Sequence, residues 1–335
     1  MLIIRQVEVS DLEDLLALAN KAGKGMTSLP TSEEALSKKI NNSRESFSST
    51  KSHKDDFFFL ALEDTQKGKV IGTASVHART GSRQAFYAYR VMPVTHYSHS
   101  LEKQVRAELL HLTNDYTDHS EVGSLFVDPD YRGNGRWLAT SRYLLMGQFP
   151  ERFAKHVIAE LRGIVDEDGI SPFWESIGRN FFHMEYGEAD ALCGTGSNQF
   201  ITELMPKHPI YTCFLSQDAQ SAIGTPNKDS KRAMEFLQDE GYDYENVVDI
   251  FDGGPIMRAK IKNIKSVRSI ATHTAITNPN ASLTDETLIA NTTLNNFRVV
   301  KSQFTHGDSN DVILPQESFE ALQIKPGDTI RLIQE

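Results

Sequence analysis

The first 255 residues predict a mixed α/β fold, a twisted sheet flanked by helices. The remainder, 256–335, predicts a small β-rich module. Three observations carry this reading. Strand-like and helix-like stretches alternate along most of the chain. A short apolar strand runs into a glycine-rich turn and then a helix near the centre. Beyond about residue 256, Thr, Asn and Ser become frequent and strands are separated by short turns.

The elements follow in order. Residues 2–8 read as a strand, and Ser10 with Glu13 form a capping box that opens a helix carrying Leu12, Leu15, Leu16 and Ala19 on one face. After the glycine-rich break GKGMTSLP, Thr31 and Glu34 repeat the capping pattern. The polar tail of this second helix, NNSRESFSSTKSHKDD, reads as a surface loop or a frayed helix end. FFFLALE and VIGTASV form a hairpin around DTQKGK, and a strand-like run over 86–94 precedes a helical stretch over 100–112. EVGSLFV is a strand that stops at Pro129, and a helix over 137–149 follows the turn DYRGNG. HVIAELRGIV reads as a strand and SPFWESIGRNFF as a helix with Pro172 in its first turn. NQFITELM and SKRAMEFLQDE are helices, the latter ended by Gly241, and VVDIFDGGP is a strand with a closing turn. The helix–glycine–strand order recurs, so 1–255 is expected to divide into two related lobes, about 1–165 and 166–255. FRVVKSQF, DVILP, QESFEAL and IKPGDTIRLI complete a module expected to be a structural or oligomeric appendix.

The formal net charge of -10 disfavours binding to a phosphate backbone and suits a cationic small substrate. The two cysteines, Cys193 and Cys213, are too few for a disulfide framework, match no zinc-ligand spacing, and read as buried reduced thiols. No metal is expected. No apolar run is long enough to span a bilayer, and the N-terminal residues lack a signal-peptide pattern, so a cytoplasmic location away from membranes is expected.

The sharpest chemical feature is SLFVDPDYRGNGRWLA, residues 124–139. Gly133 and Gly135 permit a tight turn and close backbone approach to a ligand. The N–H groups of the loop and first helical turn then face outward at the positive end of a helix dipole, which suits a pyrophosphate. Arg132 and Arg136 add charge, and Leu125, Phe126, Val127 and Asn134 complete this candidate binding stretch. A tight turn with two solvated arginines is the plain alternative.

Val127, Pro129, Tyr131, Arg132, Gly133 and Gly135 resemble the acyl-CoA signature of the GCN5-related N-acyltransferase superfamily, Arg/Gln-x-x-Gly-x-Gly/Ala. Trp137 stands where the last small residue is expected, which implies a wider helix start. TSLP (27–30), FYAYRV, ELRG (160–163), SPFWESIGRNFF, ELMPKHPIY (203–211) and DIFDGGP (249–255) together resemble the arginine N-succinyltransferases. The resemblance implies the acyl-CoA N-acyltransferase fold and succinyl transfer from succinyl-CoA to the α-amine of L-arginine in arginine catabolism. Succinyl-CoA is then a co-substrate contacted at Leu125, and no tightly bound cofactor is implied. It also places the family's proton-donor histidine, found in Gly-Gln-Val-His-Pro, at Asn227 within Gly224, Thr225, Pro226, Asn227, Lys228. Asparagine cannot transfer a proton near neutral pH. Either another group supplies it, the chain is impaired, or the register is shifted.

The remaining candidates each have a structural alternative. His96 is an acid or base, or a structural histidine. Tyr211 donates to a leaving thiolate, or packs. Glu160 activates water or pairs with a cationic substrate, or forms a sheet-edge salt bridge. Arg90 and Arg162 face the succinyl carboxylate, or serve as ordinary ion-pair partners. Three other functions stay open: a related acyltransferase acting on ornithine or another amine, an impaired partner subunit of a homo- or hetero-oligomer, and a binding module built on the C-terminal PGD-containing strands.

Overall fold

The computed structural model describes residues 1–23, 26–194, 199–308 and 310–334. In chain order the first elements are β1 (Leu2–Gln6), α1 (Leu12–Ala22), α2 (Glu33–Ser48), β2 (Phe57–Asp64), β3 (Lys69–His77), β4 (Ala88–Ser98), β5 (Lys103–Thr113), β6 (Ser120–Val127), α3 (Gly135–Gln148) and β7 (His156–Glu160). They are followed by β8 (Ile210–Tyr211), β9 (Asp243–Val248), β10 (Pro255–Lys260), β11 (Ile270–Ile276), β12 (Asp285–Ala290), β13 (Arg298–His306), β14 (Asp311–Ile313) and β15 (Thr329–Ile333), with short helices between β7 and β9.

The chain forms two compact units. The first comprises Met1–Arg79, Ser120–Val157 and Lys260–Glu335, and the second Thr80–His119 and Ile158–Ala259. In the first unit, β1, β2, β3 and β6 lie side by side in antiparallel pairings. α1 and α2 cover one face, where Leu15, Leu18, Leu36 and Ile40 bury against Phe57, Phe59 and Ala61. β12, β15, β11, β14 and β13 pair in a ring that closes through β12–β13, and β13 also pairs with β1. α3 packs on β3 and β6 and also on β12 and β15 of that ring. Enclosure on several sides explains why Trp137 through Met146 are all buried.

In the second unit β10, β9, β4, β5 and β8 lie in that order with β7 beside β10. Their face buries Tyr89, Leu110, Val248 and Ile250 against Phe173, Trp174 and Phe182.

Several expectations are corrected. Residues 100–112 are not helical: β5 pairs with β4 in unbroken antiparallel register from Ala88↔Thr113 to Ser98↔Lys103. Glu, Gln, Arg and Leu give this stretch helix propensity, but cross-strand pairing overrides so weak a preference. The first capping box is formed by Glu8 and Asp11 around a short 3-10 turn, not by Ser10 and Glu13. α2 is capped by Ser32, which accepts from the Ala35 N–H, rather than by Thr31. SPFWESIGRNFF is two short helices, Pro172–Ser176 and Gly178–Phe182, and HVIAELRGIV is a strand only as far as Glu160. Cys213 is exposed rather than buried, because it sits in a short turn after β8. The Cys193 side chain and residues 24–25 of the glycine-rich break lie outside the described residues.

The polar tail of α2 is helical to Ser48, and its serines do structural work. Ser43 and Ser46 are buried, and their hydroxyls accept from the Phe59 and Phe57 N–H groups, both at 2.9 Å. These bonds satisfy β2 where the ladder would otherwise leave buried donors unpaired. Arg152, 4% exposed, donates to the Asp56 carboxylate at 2.9 Å and to the Ser46 and Ser49 carbonyls. Removing one partner of a buried ion pair strands the other charge and costs about 3–5 kcal/mol. Arg152→Leu should therefore lower unfolding free energy by about that amount in urea titration, while Asp56→Asn/Arg152→Leu should lose less than Arg152→Leu alone.

Candidate functional site

β6 breaks its pairing with β3 at the predicted binding stretch. Gly123 pairs with Ser75 and Phe126 with Thr73, so Ser124 and Leu125 together face Ala74. This is a β-bulge, which leaves one residue out of the ladder. Ser124 takes a left-handed backbone conformation, φ 49°, in a buried setting. Three hydroxyl hydrogen bonds hold it there: Thr73 Oγ1 donates to the Ser124 carbonyl (2.8 Å), Ser75 Oγ to Ser124 Oγ (3.0 Å), and Ser124 Oγ to the Ser28 carbonyl (2.9 Å). Ser28 belongs to TSLP, so the bulge is tied to the loop between α1 and α2.

Past the bulge the chain turns through Arg132, Gly133 and Asn134 into α3. Gly133 has φ 102°, a conformation that favours glycine, and a side chain on Gly133 or Gly135 would meet nothing within 4 Å. Neither glycine is demanded by packing, and the space above both is open for a ligand. The turn is fixed from below. Asn134 donates to the Tyr131 carbonyl (2.8 Å), and its Oδ1 accepts from the Trp137 indole N–H (2.9 Å). The departure at Trp137 thus turns the indole into the protein as a brace for the loop. Tyr131 donates to Asp64 (2.8 Å) and accepts from Lys67 (2.7 Å). The tyrosine bond, aided by nearby Lys67, holds the Asp64 carboxyl below its usual range. The hydrogen bond from Lys21 does the same for Asp128, which caps the turn through the Asp130 N–H. No acidic residue stands in the first turn of α3, and Arg132 and Arg136 are exposed. The loop offers N–H donors and two arginines, which suits an anion, and the Asp64 and Asp128 carboxylates are engaged elsewhere.

Upstream of the bulge lies a cluster that the sequence reading missed. Glu121 of β6 pairs across the ladder with His77 of β3. Lys39 of α2 reaches over the Phe57 ring and donates to the Ser28 carbonyl (3.0 Å). Burial pushes the Glu121 carboxyl up to about 7 against the opposing pull of Lys39. Burial lowers Lys39, and burial aided by Lys39 pushes the His77 imidazole down to about 3. Only spatial pairing of α2, β3 and β6 brings these residues together, so no local motif marks them.

In the second unit, three of the sequence stretches singled out above converge. The Asn227 N–H donates to the Arg162 carbonyl (2.9 Å), Gly224 N–H to Gly253 (2.8 Å), and Gly163 N–H to the Asp252 carboxylate (2.7 Å). ELRG, GTPN and DIFDGGP therefore form one hydrogen-bonded knot. The Asn227 carboxamide oxygen accepts from the Ser230 N–H (2.8 Å), closing the turn before the Lys231–Asp239 helix. His96 and Tyr211 meet as well, Nε2 and Oη being 3.5 Å apart on β4 and β8, with His96 exposed. Arg90 bonds Asp115 at 3.0 Å, the ion-pair role weighed for it above, and Glu160 is exposed at the end of β7. Among the described residues no group of three or more His, Cys, Asp or Glu could hold a metal, and no helix is long and apolar enough to cross a membrane.

The family profile of the arginine N-succinyltransferase beta subunit matches residues 2–266, and that of its C-terminal domain matches residues 270–334. The chain belongs to the arginine N-succinyltransferase family. Arginine N-succinyltransferase from Escherichia coli strain 55989 is 40% identical over 337 residues, covering 100% of this chain and 98% of that protein. The enzyme of the same name from Enterobacter sp. strain 638 has the same identity and coverage. The structure of arginine/ornithine succinyltransferase subunit AI from Pseudomonas aeruginosa superposes with a TM-score of 0.90 at 32% identity, covering 99% of this chain and 98% of that one. The acyltransferase fold and class expected from the sequence hold, and the reading as a non-enzymatic binding module falls away.

Replacing Gly135 tests the cradle, because the space it would fill is empty of protein. Gly135→Val should leave the fold intact and weaken CoA binding in calorimetric titration. Loss of one or two charge-assisted hydrogen bonds, about 1.5–3 kcal/mol, corresponds to roughly 10- to 100-fold. Unchanged affinity would remove the loop from the site.

Proposed function

We propose that this protein transfers the succinyl group of succinyl-CoA to the α-amine of L-arginine in arginine catabolism. The observation that carries the reading is full-length identity of 40% to arginine N-succinyltransferases in a chain whose bulged strand, glycine turn and helix form a braced anion cradle. Leu125 to Arg136 hold the pyrophosphate and thioester, and the bulge offers a backbone amide outside the ladder for the developing oxyanion. The location is cytoplasmic, succinyl-CoA is a co-substrate, and no resident cofactor takes part.

The thiolate is a good leaving group, since free thiols have a pKa near about 8.5, so a dedicated acid is not essential. Asn227 keeps the turn of the family's histidine position without its proton. A second reading replaces arginine by ornithine and is favoured by the name of the Pseudomonas aeruginosa relative, which includes both amino acids. Thiol release with succinyl-CoA or acetyl-CoA on arginine and ornithine decides between them; no release with any pairing would end the reading.

Restoring an imidazole should raise turnover. General acid catalysis is typically worth about 100- to 10,000-fold. Asn227→His should gain less, because the thiolate leaves readily and Pro226 and Lys228 replace the Val and Pro that flank the family's histidine. Steady-state kinetics from pH 6 to 9 should show the rise in kcat with little change in KM. Identical profiles for both proteins would place the proton elsewhere.

A further inference from the structure

We infer that Lys39 is a site of self-acylation, taking the succinyl group of a bound thioester when no free amine competes for it. This rests on the acyltransferase reading above and adds to it an acceptor within the protein itself.

Position brings the amine to the bulge. Lys39 Nζ donates to the Ser28 carbonyl (3.0 Å), and the same oxygen accepts from Ser124 Oγ (2.9 Å). A single carbonyl oxygen therefore links the lysine amine to the bulge residue, beside which the proposed function places the thioester. The nitrogen also sits over the Phe57 ring, 5.1 Å from its centroid. Gly123 puts no side chain on this face of β6. A Cβ built there would lie 3.6 Å from Ser75 Oγ and 3.9 Å from Glu121 Oε1, so the gap it leaves borders Glu121. Lys39, His77, Glu121 and Gly123 are half-buried, whereas Val76 and Val122, on the opposite face of their strands, are buried. The face that carries the amine is open to a small ligand.

The amine is suited to attack. An ammonium has three N–H groups and no lone pair, and only the neutral amine is a nucleophile. Burial lowers Lys39 toward that neutral form against the pull of Glu121. The pull is itself weakened, because burial pushes the Glu121 carboxyl up to about 7. His77, the third titratable group that α2, β3 and β6 bring together here, is pushed down to about 3 by burial and stays neutral. Lys21 and Lys67 behave oppositely, raised by their hydrogen bonds to Asp128 and Tyr131. The Lys39 hydrogen bond goes to a neutral carbonyl, which fixes the nitrogen without demanding its charge.

The step balances. The Nζ lone pair attacks the thioester carbonyl carbon, the C–N bond forms and the C–S bond breaks. The nitrogen loses one proton, the departing thiolate takes it, and CoA leaves as the thiol. The product amide has no basic nitrogen and ends in a carboxylate. The recess thereby loses its amine and gains an acid beside Glu121, and the modified chain no longer presents the same site.

The full chain is incubated with succinyl-CoA and no free amine, and peptides are mapped by mass spectrometry at intervals. Lys39 should gain one succinyl group, and activity on arginine should fall in step with its occupancy. Well-aligned intramolecular reactions reach effective concentrations of about 10⁵ M or more, so even poor alignment should label Lys39 roughly 100-fold faster than exposed Lys51 or Lys262. Excess CoA should suppress labelling at Lys39 and leave Lys51 and Lys262 unchanged, and so should Gly135→Val. Added arginine should protect Lys39 while the thioester lasts. Lys39→Arg, compared with its own starting rate, should hold its activity through the same incubation. If wild type acylates arginine while Lys39 stays unlabelled, or is labelled no faster than Lys51, or gains no protection from CoA, Lys39 only braces the loop. The self-acylation is then wrong and the acyltransferase reading stands. If no thiol is released with any amine and Lys39 is not labelled selectively, that reading falls and the self-acylation with it.

Discussion

The bulge at Ser124–Leu125 is the constraint on which the first unit depends. Along an unbroken strand, Glu121, Gly123 and Leu125 would share one face. The extra residue shifts the phase, so that Phe126 instead packs with Phe57, Phe59 and Ala61 beneath α1 and α2, and Leu125 turns to the other side. A non-glycine residue held in a left-handed conformation costs of order 1–3 kcal/mol and persists only where its surroundings over-determine it. Thr73, Ser75 and the Ser28 carbonyl do so here with buried hydrogen bonds. Because the Ser28 carbonyl accepts from both Ser124 and Lys39, the strand, the TSLP loop and α2 are set in one arrangement.

The C-terminal ring supports the turn after the bulge through α3. α3 begins at the glycine turn and is buried along most of its length, partly by β12 and β15. The ring strands come from the far end of the chain and reach the N-terminal sheet through β13 and β1. Residues remote in sequence therefore fix the direction in which the first-turn N–H groups of α3 point.

What was legible in the sequence was local. Strand, glycine turn and helix over 124–149 could be read because apolar alternation, Pro129 and two glycines fall within one short window. The family stretches could be read because each is a contiguous string. What was not legible depended on pairing at a distance. Nothing within 100–112 announces a strand, since its residues favour a helix and only β4 makes the difference. Ser43 and Ser46 looked like the polar wear of a helix end, yet they supply acceptors to β2. Lys39, His77 and Glu121 lie on three elements and form a group only after folding. The bulge itself is a count, two residues against one, and a count needs both strands.

The brace formed by Asn134, Tyr131 and Trp137 has a kinetic consequence. A loop whose conformation is set before the ligand arrives has little chain entropy left to lose on binding, so capture is governed by diffusion and charge. The two charge terms act at different ranges. The chain carries a net charge of -10 and repels an anionic nucleotide thioester from afar, whereas at the proposed cradle Arg132 and Arg136 would attract it at contact. At physiological ionic strength the screening length is about 8 Å, which suppresses the distant repulsion far more than the contact attraction. Moderate salt should therefore speed the association of CoA with this protein, the reverse of the usual behaviour of a polyanion with a basic receptor.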